Sequence, residues 1–203
     1  MDIKSQWNER YSRQNYVYGT EPNTFLQSVT GCLEIPSNIL CLAEGEGRNA
    51  VFLAAQGHHV AAVDISSAGY EKALRLAREN DVLIAYTVSD INHYDFGTET
   101  LDAIVSIFAH TDPETLSNTW KKAAAGLKRG GYFILEAYHP RQIKDGYASG
   151  GPKDISWLVT LNDLKTAFKG FEILHGEEIE RDVTEGSLHT GQAYVTQFIA
   201  RKL

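Results

Sequence analysis

The chain has 203 residues, 43% hydrophobic and 22% charged, with a net charge of -7 and two cysteines, Cys32 and Cys41. That balance fits one globular domain with a substantial core, and the absence of any Lys and Arg cluster argues against nucleic acid as a partner. The opening MDIKSQWNER lacks an apolar run of signal-peptide length and no later stretch approaches ~20 apolar residues, so neither secretion nor membrane insertion is expected. Cys41 lies inside an apolar run, where a free thiol behaves as a small hydrophobe, and a reduced, cytoplasmic setting is expected.

The first segment is dense in aromatics: Trp7, Tyr11, Tyr16 and Tyr18 fall within twelve residues. From Ile39 onward short apolar runs alternate with helical patterns, which predicts an α/β domain with a parallel sheet. Ile39 to Ala43 reads as the first strand, and RNAVFLAAQ as a helix stopped by Gly57. His59 to Val63 is the second strand. Ser66 or Ser67 caps the next helix, with Tyr70, Ala73, Leu74 and Ala77 on one face. Ile84 to Val88 and Leu101 to Ile107 follow as strands. Asp112-Pro113-Glu114 starts a helix whose apolar face carries Leu116, Trp120, Ala123 and Leu127, with Lys128, Arg129 and Gly130 as its last turn and stop. Tyr132 to Leu135 is the fifth strand, Leu161 to Phe168 a helix, and strands near Phe171 to Glu178 and Tyr194 to Ala200 close the chain. Between them Asp182 to Gly191 is expected as a long, extended connection.

The stretch ILCLAEGEGRNAVFLAAQGHHVAAVDIS places Gly45-Glu46-Gly47 between a strand and a helix and Asp64 at the end of the next strand. Glycines let backbone approach a ligand, the helix N-terminus offers free N–H groups, and a carboxylate after the second strand can accept both hydroxyls of a ribose. The same letters match the dinucleotide pattern as Gly45, Gly47 and Ala50, so an NAD-dependent oxidoreductase stands as an alternative. Glu44 and Glu46 would repel a pyrophosphate but suit the sulfonium and ammonium of S-adenosylmethionine. A domain that binds that cofactor without catalysis is a further alternative.

These segments, with WNERYSRQNYVYGTEPNTFL, VSDINHYDF, LDAIVSIFAH, LKRGGYFILEAYHP and EGSLHTGQA, resemble the class I S-adenosylmethionine-dependent methyltransferases, closest to the small tellurite-resistance (TehB-like) type. The resemblance implies a Rossmann-like, mostly parallel sheet of seven strands in the order 3-2-1-4-5-7-6, the last antiparallel, with helices on both faces. It also implies a single domain over 1–203, with residues 1–30 as a helical lid that Gly19 bends and 38–203 as the cofactor-binding core. The cofactor residues it implies are Tyr11, Gly19, Glu44, Gly45, Gly47, Asn49, Asp64, Ile65, Asp90, Ile91 and Ser106, with Asp90 at the adenine amine. Two positions depart from the pattern: Cys41 replaces an acidic residue, and Ala43 the first glycine.

For the acceptor the expectation is a small molecule: a thiol, a metalloid oxyanion, an amine or a hydroxyl. A general base is needed only if that group arrives protonated, and the candidates are His110, His139, Glu185 and His189. SIFAH lacks the Asn/Asp-Pro-Pro-aromatic motif of enzymes that methylate nucleic-acid bases. The histidines show no metal-site spacing, so no metal is expected. Asp102 reads as structural, and YASGGP (147–152) as either a flap or a surface connection. The expected assembly is a monomer or a weak homodimer.

Overall fold

The computed structural model describes residues 2–203. Seven strands, β1 (Asn38–Leu42), β2 (His59–Asp64), β3 (Ala85–Val88), β4 (Leu101–Ile107), β5 (Leu127–Tyr138), β6 (Phe171–Glu185) and β7 (His189–Lys202), form one sheet. Their order is β3-β2-β1-β4-β5-β7-β6, with β7 antiparallel to both of its neighbours and the rest of the sheet parallel, as the resemblance implies. The central strands read as unbroken apolar runs because helices cover both faces. Alternate residues of β1 serve opposite faces. Leu40 and Leu42 pack with Ile104, Trp120, Phe133 and Phe168, whereas Ile39 and Cys41 pack with Phe25, Leu53, Val105 and Ile134. Each such side chain, fully buried, contributes roughly 1.5–3 kcal/mol of hydrophobic stabilisation.

The helices are α1 (Ile3–Tyr11), α2 (Thr24–Val29), α3 (Arg48–Ala55), α4 (Ser67–Glu79), α5 (Pro113–Gly126), α6 (Arg141–Lys144) and α7 (Leu161–Ala167). Ser66 caps α4 by accepting from the Gly69 N–H, and Asp112 caps α5 by accepting from Glu114 and Thr115. Asp102 is structural, accepting from the Asn38 N–H at 2.8 Å and from Lys128 at 2.7 Å.

Three sequence expectations are corrected. The buried face of α4 carries Gly69, Lys72, Ala73, Leu76 and Ala77, and Tyr70 and Leu74 are only half-buried. The spacing misleads because Lys72 is buried too, its charge met by Glu46 at 2.7 Å. Helix α5 ends at Gly126: Leu127 is already extended and pairs with Leu101, so Lys128, Arg129 and Gly130 belong to β5 and not to a last turn. The segment Asp182 to Gly191 is not a long connection. Pairing of β6 with β7 continues to Glu185 opposite His189, leaving only residues 186–188 as the turn.

Candidate active site

The carboxyl ends of β1 to β4 bring the glycine loop, Asp64, the loop at Asp90 and Ser106 to one edge of the sheet, where open α/β sheets take ligands. Asp64 is buried there, its Oδ2 accepting from the Gly45 N–H at 3.0 Å and its Oδ1 from the Ser66 N–H at 2.8 Å. Burial pushes its carboxyl up to about 6. Each carboxylate oxygen retains a further lone pair, so the group can still accept from a diol. Ile65 beside it is half-buried. Asp90 forms a turn by accepting from the Asn92 N–H at 2.8 Å, and Ser106 is buried at the end of β4. The Asp90 to Tyr94 loop is pinned by the Lys122 ammonium, which donates to the carbonyls of Ile91, Asn92 and Tyr94.

Ala43 takes a φ of +48°, the left-handed conformation for which the usual glycine is suited. The loop keeps its shape at a cost of roughly 1–2 kcal/mol. Gly47 is required for a different reason from the one its sequence context suggests. A Cβ there would meet Cβ and Cα of Ala73 at 2.6 and 2.7 Å, so the glycine permits contact between the loop and α4.

Neither loop glutamate points to solvent. Glu44 accepts from the Ala50 N–H at 2.7 Å at the start of α3, and burial raises its carboxyl to about 7. Glu46 accepts from the amides of Val17 and Tyr18 at 2.8 and 3.2 Å while pairing with Lys72. Its charge fastens the N-terminal segment. Asn49 does likewise, accepting from the Asn23 N–H at 2.9 Å, and Asn8 on α1 accepts from the Ser66 and Ser67 hydroxyls and the Ala68 N–H. Tyr11 is buried against the loop, its hydroxyl 2.5 Å from where a Gly45 Cβ would stand. Gly19, at φ +74°, lets the segment pass closely over Gly186 in the β6–β7 turn.

The four candidate bases occupy four settings. His110 Nε2 accepts from the Tyr138 N–H at 3.2 Å and its Nδ1 lies 3.1 Å from the Trp157 carbonyl, so main chain engages both nitrogens. Burial lowers its pKa to about 4. His139 Nδ1 accepts from the Arg141 N–H at 3.1 Å, and its Nε2 is 3.4 Å from Glu178. Glu185 lies in a buried network: its Oε2 meets Arg48 at 2.5 Å, and its Oε1 meets Arg181 at 2.6 Å and the Asn23 amide at 2.9 Å. Glu136 takes the second hydrogen of that amide at 2.8 Å and also binds Arg181 and Gln197, each at 2.5 Å. His189 stands apart from these three. Its Nδ1 is buried with no hydrogen-bond partner, which costs roughly 1–3 kcal/mol. Burial, then Arg48, lowers its pKa to about 3.

Asn23, Arg48, Lys72, Glu136, Arg181 and Gln197 escaped the sequence reading, since an isolated polar residue in an apolar run or a strand gives no periodic signal. EAYHP did contain one clue, a glutamate inside a strand whose neighbours are buried. Among the described residues no group of His, Cys, Asp or Glu is arranged to hold a metal ion. No helix among them is long and apolar enough to cross a membrane.

Residues 39–131 match the family model described as a methyltransferase domain. A curated relative, the uncharacterized methyltransferase YbaJ of Bacillus subtilis, is 36% identical over 109 residues, covering 50% of this chain and 40% of the relative. The match thus spans less than half the length of that relative. Among solved structures, TehB from Haemophilus influenzae superposes with a TM-score of 0.73 at 20% identity, covering 98% of this chain and 67% of its own. Magnesium protoporphyrin IX methyltransferase from Synechocystis, with bound S-adenosylhomocysteine, gives 0.73 at 16% identity and covers 99% and 98%. The 1,6-didemethyltoxoflavin-N1-methyltransferase of Burkholderia thailandensis gives 0.70 at 18%, covering 98% and 87%. At these identities the structures speak for the fold alone. Residues 39–131 thus match a methyltransferase domain, and the seven-stranded sheet gives the chain the fold of these solved methyltransferases.

Proposed function

We propose that the chain transfers a methyl group from S-adenosylmethionine to a small-molecule acceptor, in the range of thiol, metalloid oxyanion, amine or hydroxyl. The observation that carries this is the buried Asp64 carboxylate bonded to the glycine loop at the ligand edge of the sheet. Asp64 would hold the ribose, Asp90 the adenine amine, and Tyr11 would cover the loop. The cofactor supplies an electrophilic methyl on a sulfonium, and the protein positions the partners and excludes water. The oxidoreductase alternative is disfavoured because Glu44 already takes the Ala50 N–H at the start of α3, where a pyrophosphate would need free donors.

Asp64→Ala is expected to weaken S-adenosylhomocysteine binding by roughly 1.5–3 kcal/mol, about 10- to 150-fold, measured by calorimetry. An unchanged dissociation constant in a folded variant removes the ribose assignment. Transfer itself is tested with labelled S-adenosylmethionine and a metabolite extract. Binding without transfer across thiols, amines, hydroxyls, tellurite and selenite would favour a non-catalytic role.

In this reading the segment 1–30 acts as a cover over the cofactor. Its attachments through Glu46 and Asn49 to the loop support that role. Hydrogen exchange at the Val17 and Tyr18 amides should slow when S-adenosylhomocysteine is added. Equal rates with and without it would make the segment fixed structure.

A further inference from the structure

We propose that His189 marks the acceptor subsite, and that the acceptor is a flat ring compound donating an O–H or N–H hydrogen bond to its Nδ1. The proposal rests on the methyltransferase reading and narrows its substrate class.

The position comes from topology. Phe108 follows the end of β4 and Tyr138 ends β5, and because β7 runs antiparallel to β5, its first residue His189 lies toward the same edge. Tyr18 of the N-terminal segment completes the group. The His189 ring centroid is 4.4 Å from Tyr18, 4.7 Å from Phe108 and 5.5 Å from Tyr138. Tyr18 in turn lies 6.1 Å from Tyr11, which rests on Gly45, so the aromatic group adjoins the cofactor loop.

The chemistry comes from what these side chains leave unmet. His189 is 8% exposed, and its Nδ1 has no partner. The nearby Tyr138 hydroxyl is already given to the Ser149 carbonyl at 3.1 Å. Burial keeps the imidazole neutral, and in the tautomer protonated at Nε2 the orphan atom accepts one hydrogen bond. Aromatic walls select a flat ring by stacked and edge-on contact. An oxyanion would need a free cation. Arg48 and Arg181 are held by Glu185 and Glu136, and Arg10 donates to the Tyr18 hydroxyl at 2.8 Å and covers Trp7.

The way in lies under the 147–152 run. A Cβ on Gly150 would stand 2.9 Å from the His189 ring and one on Gly151 2.8 Å from the Tyr138 ring, so bare main chain covers these rings. Two Gln142 bonds, to the Ser149 hydroxyl and the Gly150 carbonyl, help to hold it. Lifting this cover withdraws no apolar side chain from the group.

The test uses the full chain loaded with S-adenosylhomocysteine and two fluorescent probes, 2-naphthol and 2-methoxynaphthalene, which share a ring system but differ in the hydrogen-bond donor. Naphthol should bind at least about tenfold more tightly than the ether. His189→Leu should abolish that preference, and His189→Gln, which keeps an acceptor, should restore part of it, with S-adenosylhomocysteine affinity unchanged in both. Equal binding of the two probes, no binding of naphthol, or a preference that survives His189→Leu would overturn the subsite. So would displacement of naphthol by tellurite, or lost S-adenosylhomocysteine affinity in His189→Leu. A wild-type chain that does not bind S-adenosylhomocysteine would instead bring down the methyltransferase reading, and the subsite with it.

Discussion

Gly47→Val should cost the protein roughly 2–5 kcal/mol of stability, read as a lowered midpoint in urea or thermal unfolding. Two effects add. At φ +92° a side chain carries a backbone penalty of roughly 1–2 kcal/mol, and overpacking adds roughly 1–3 kcal/mol, because the new Cβ would stand 2.6 Å from Ala73 Cβ. Neither neighbour yields cheaply, since one is a helix backbone and the other a loop that also carries the Glu46 to Val17 and Tyr18 bonds. Loss of cofactor binding would follow from displacement of α4 from the loop, not from a side chain reaching into the ligand. A variant with wild-type stability would show that the loop can retreat from α4.

Glu185→Ala should cost about 3–5 kcal/mol, because removing one member of a buried ion network leaves an opposing charge unpaired. Arg48 is the residue exposed to that loss. Its guanidinium otherwise donates to the Glu21 carbonyl at 3.4 Å, whereas Arg181 retains Glu136. Asn23 would also lose one of its two carboxylate partners, and with it part of the anchor between the N-terminal segment and the sheet. Urea unfolding measures the effect. A loss below about 1 kcal/mol would mean that water reaches Arg48 and replaces the carboxylate. Glu185 was a candidate base in the sequence, and its two arginines give it a structural task there.

Much of the half that carries the glycine loop was legible because its signals are local. Strands buried on both faces must be apolar throughout, glycines must stand where the chain turns tightly, and Asp112-Pro113-Glu114 starts a helix by capping chemistry alone. The boundaries that failed depended on pairing. Lys128 to Gly130 have the composition of a helix end, yet hydrogen bonding of Leu127 to β4 extends β5 backward through them. Asp182 to Gly191 looks like a loop because it is polar, but β6 and β7 pair nearly to the turn and stay in register.

The sequence by itself determined the alternation of elements, the glycine loop with Asp64 after the second strand, and the aromatic density ahead of the core, since these follow from spacing and residue type. Tertiary structure decided what each polar group does. The charges of Glu44 and Glu46 look available to a ligand when read along the chain. Folding turns them inward, one onto the start of α3 and the other onto Lys72 and the N-terminal segment, because a buried carboxylate must find donors wherever the packed elements supply them. His110, His139 and His189 are equivalent as letters, and only the surroundings separate them. Main chain occupies both nitrogens of His110, Arg141 and Glu178 face His139, and His189 keeps a buried nitrogen that the fold leaves unpaired.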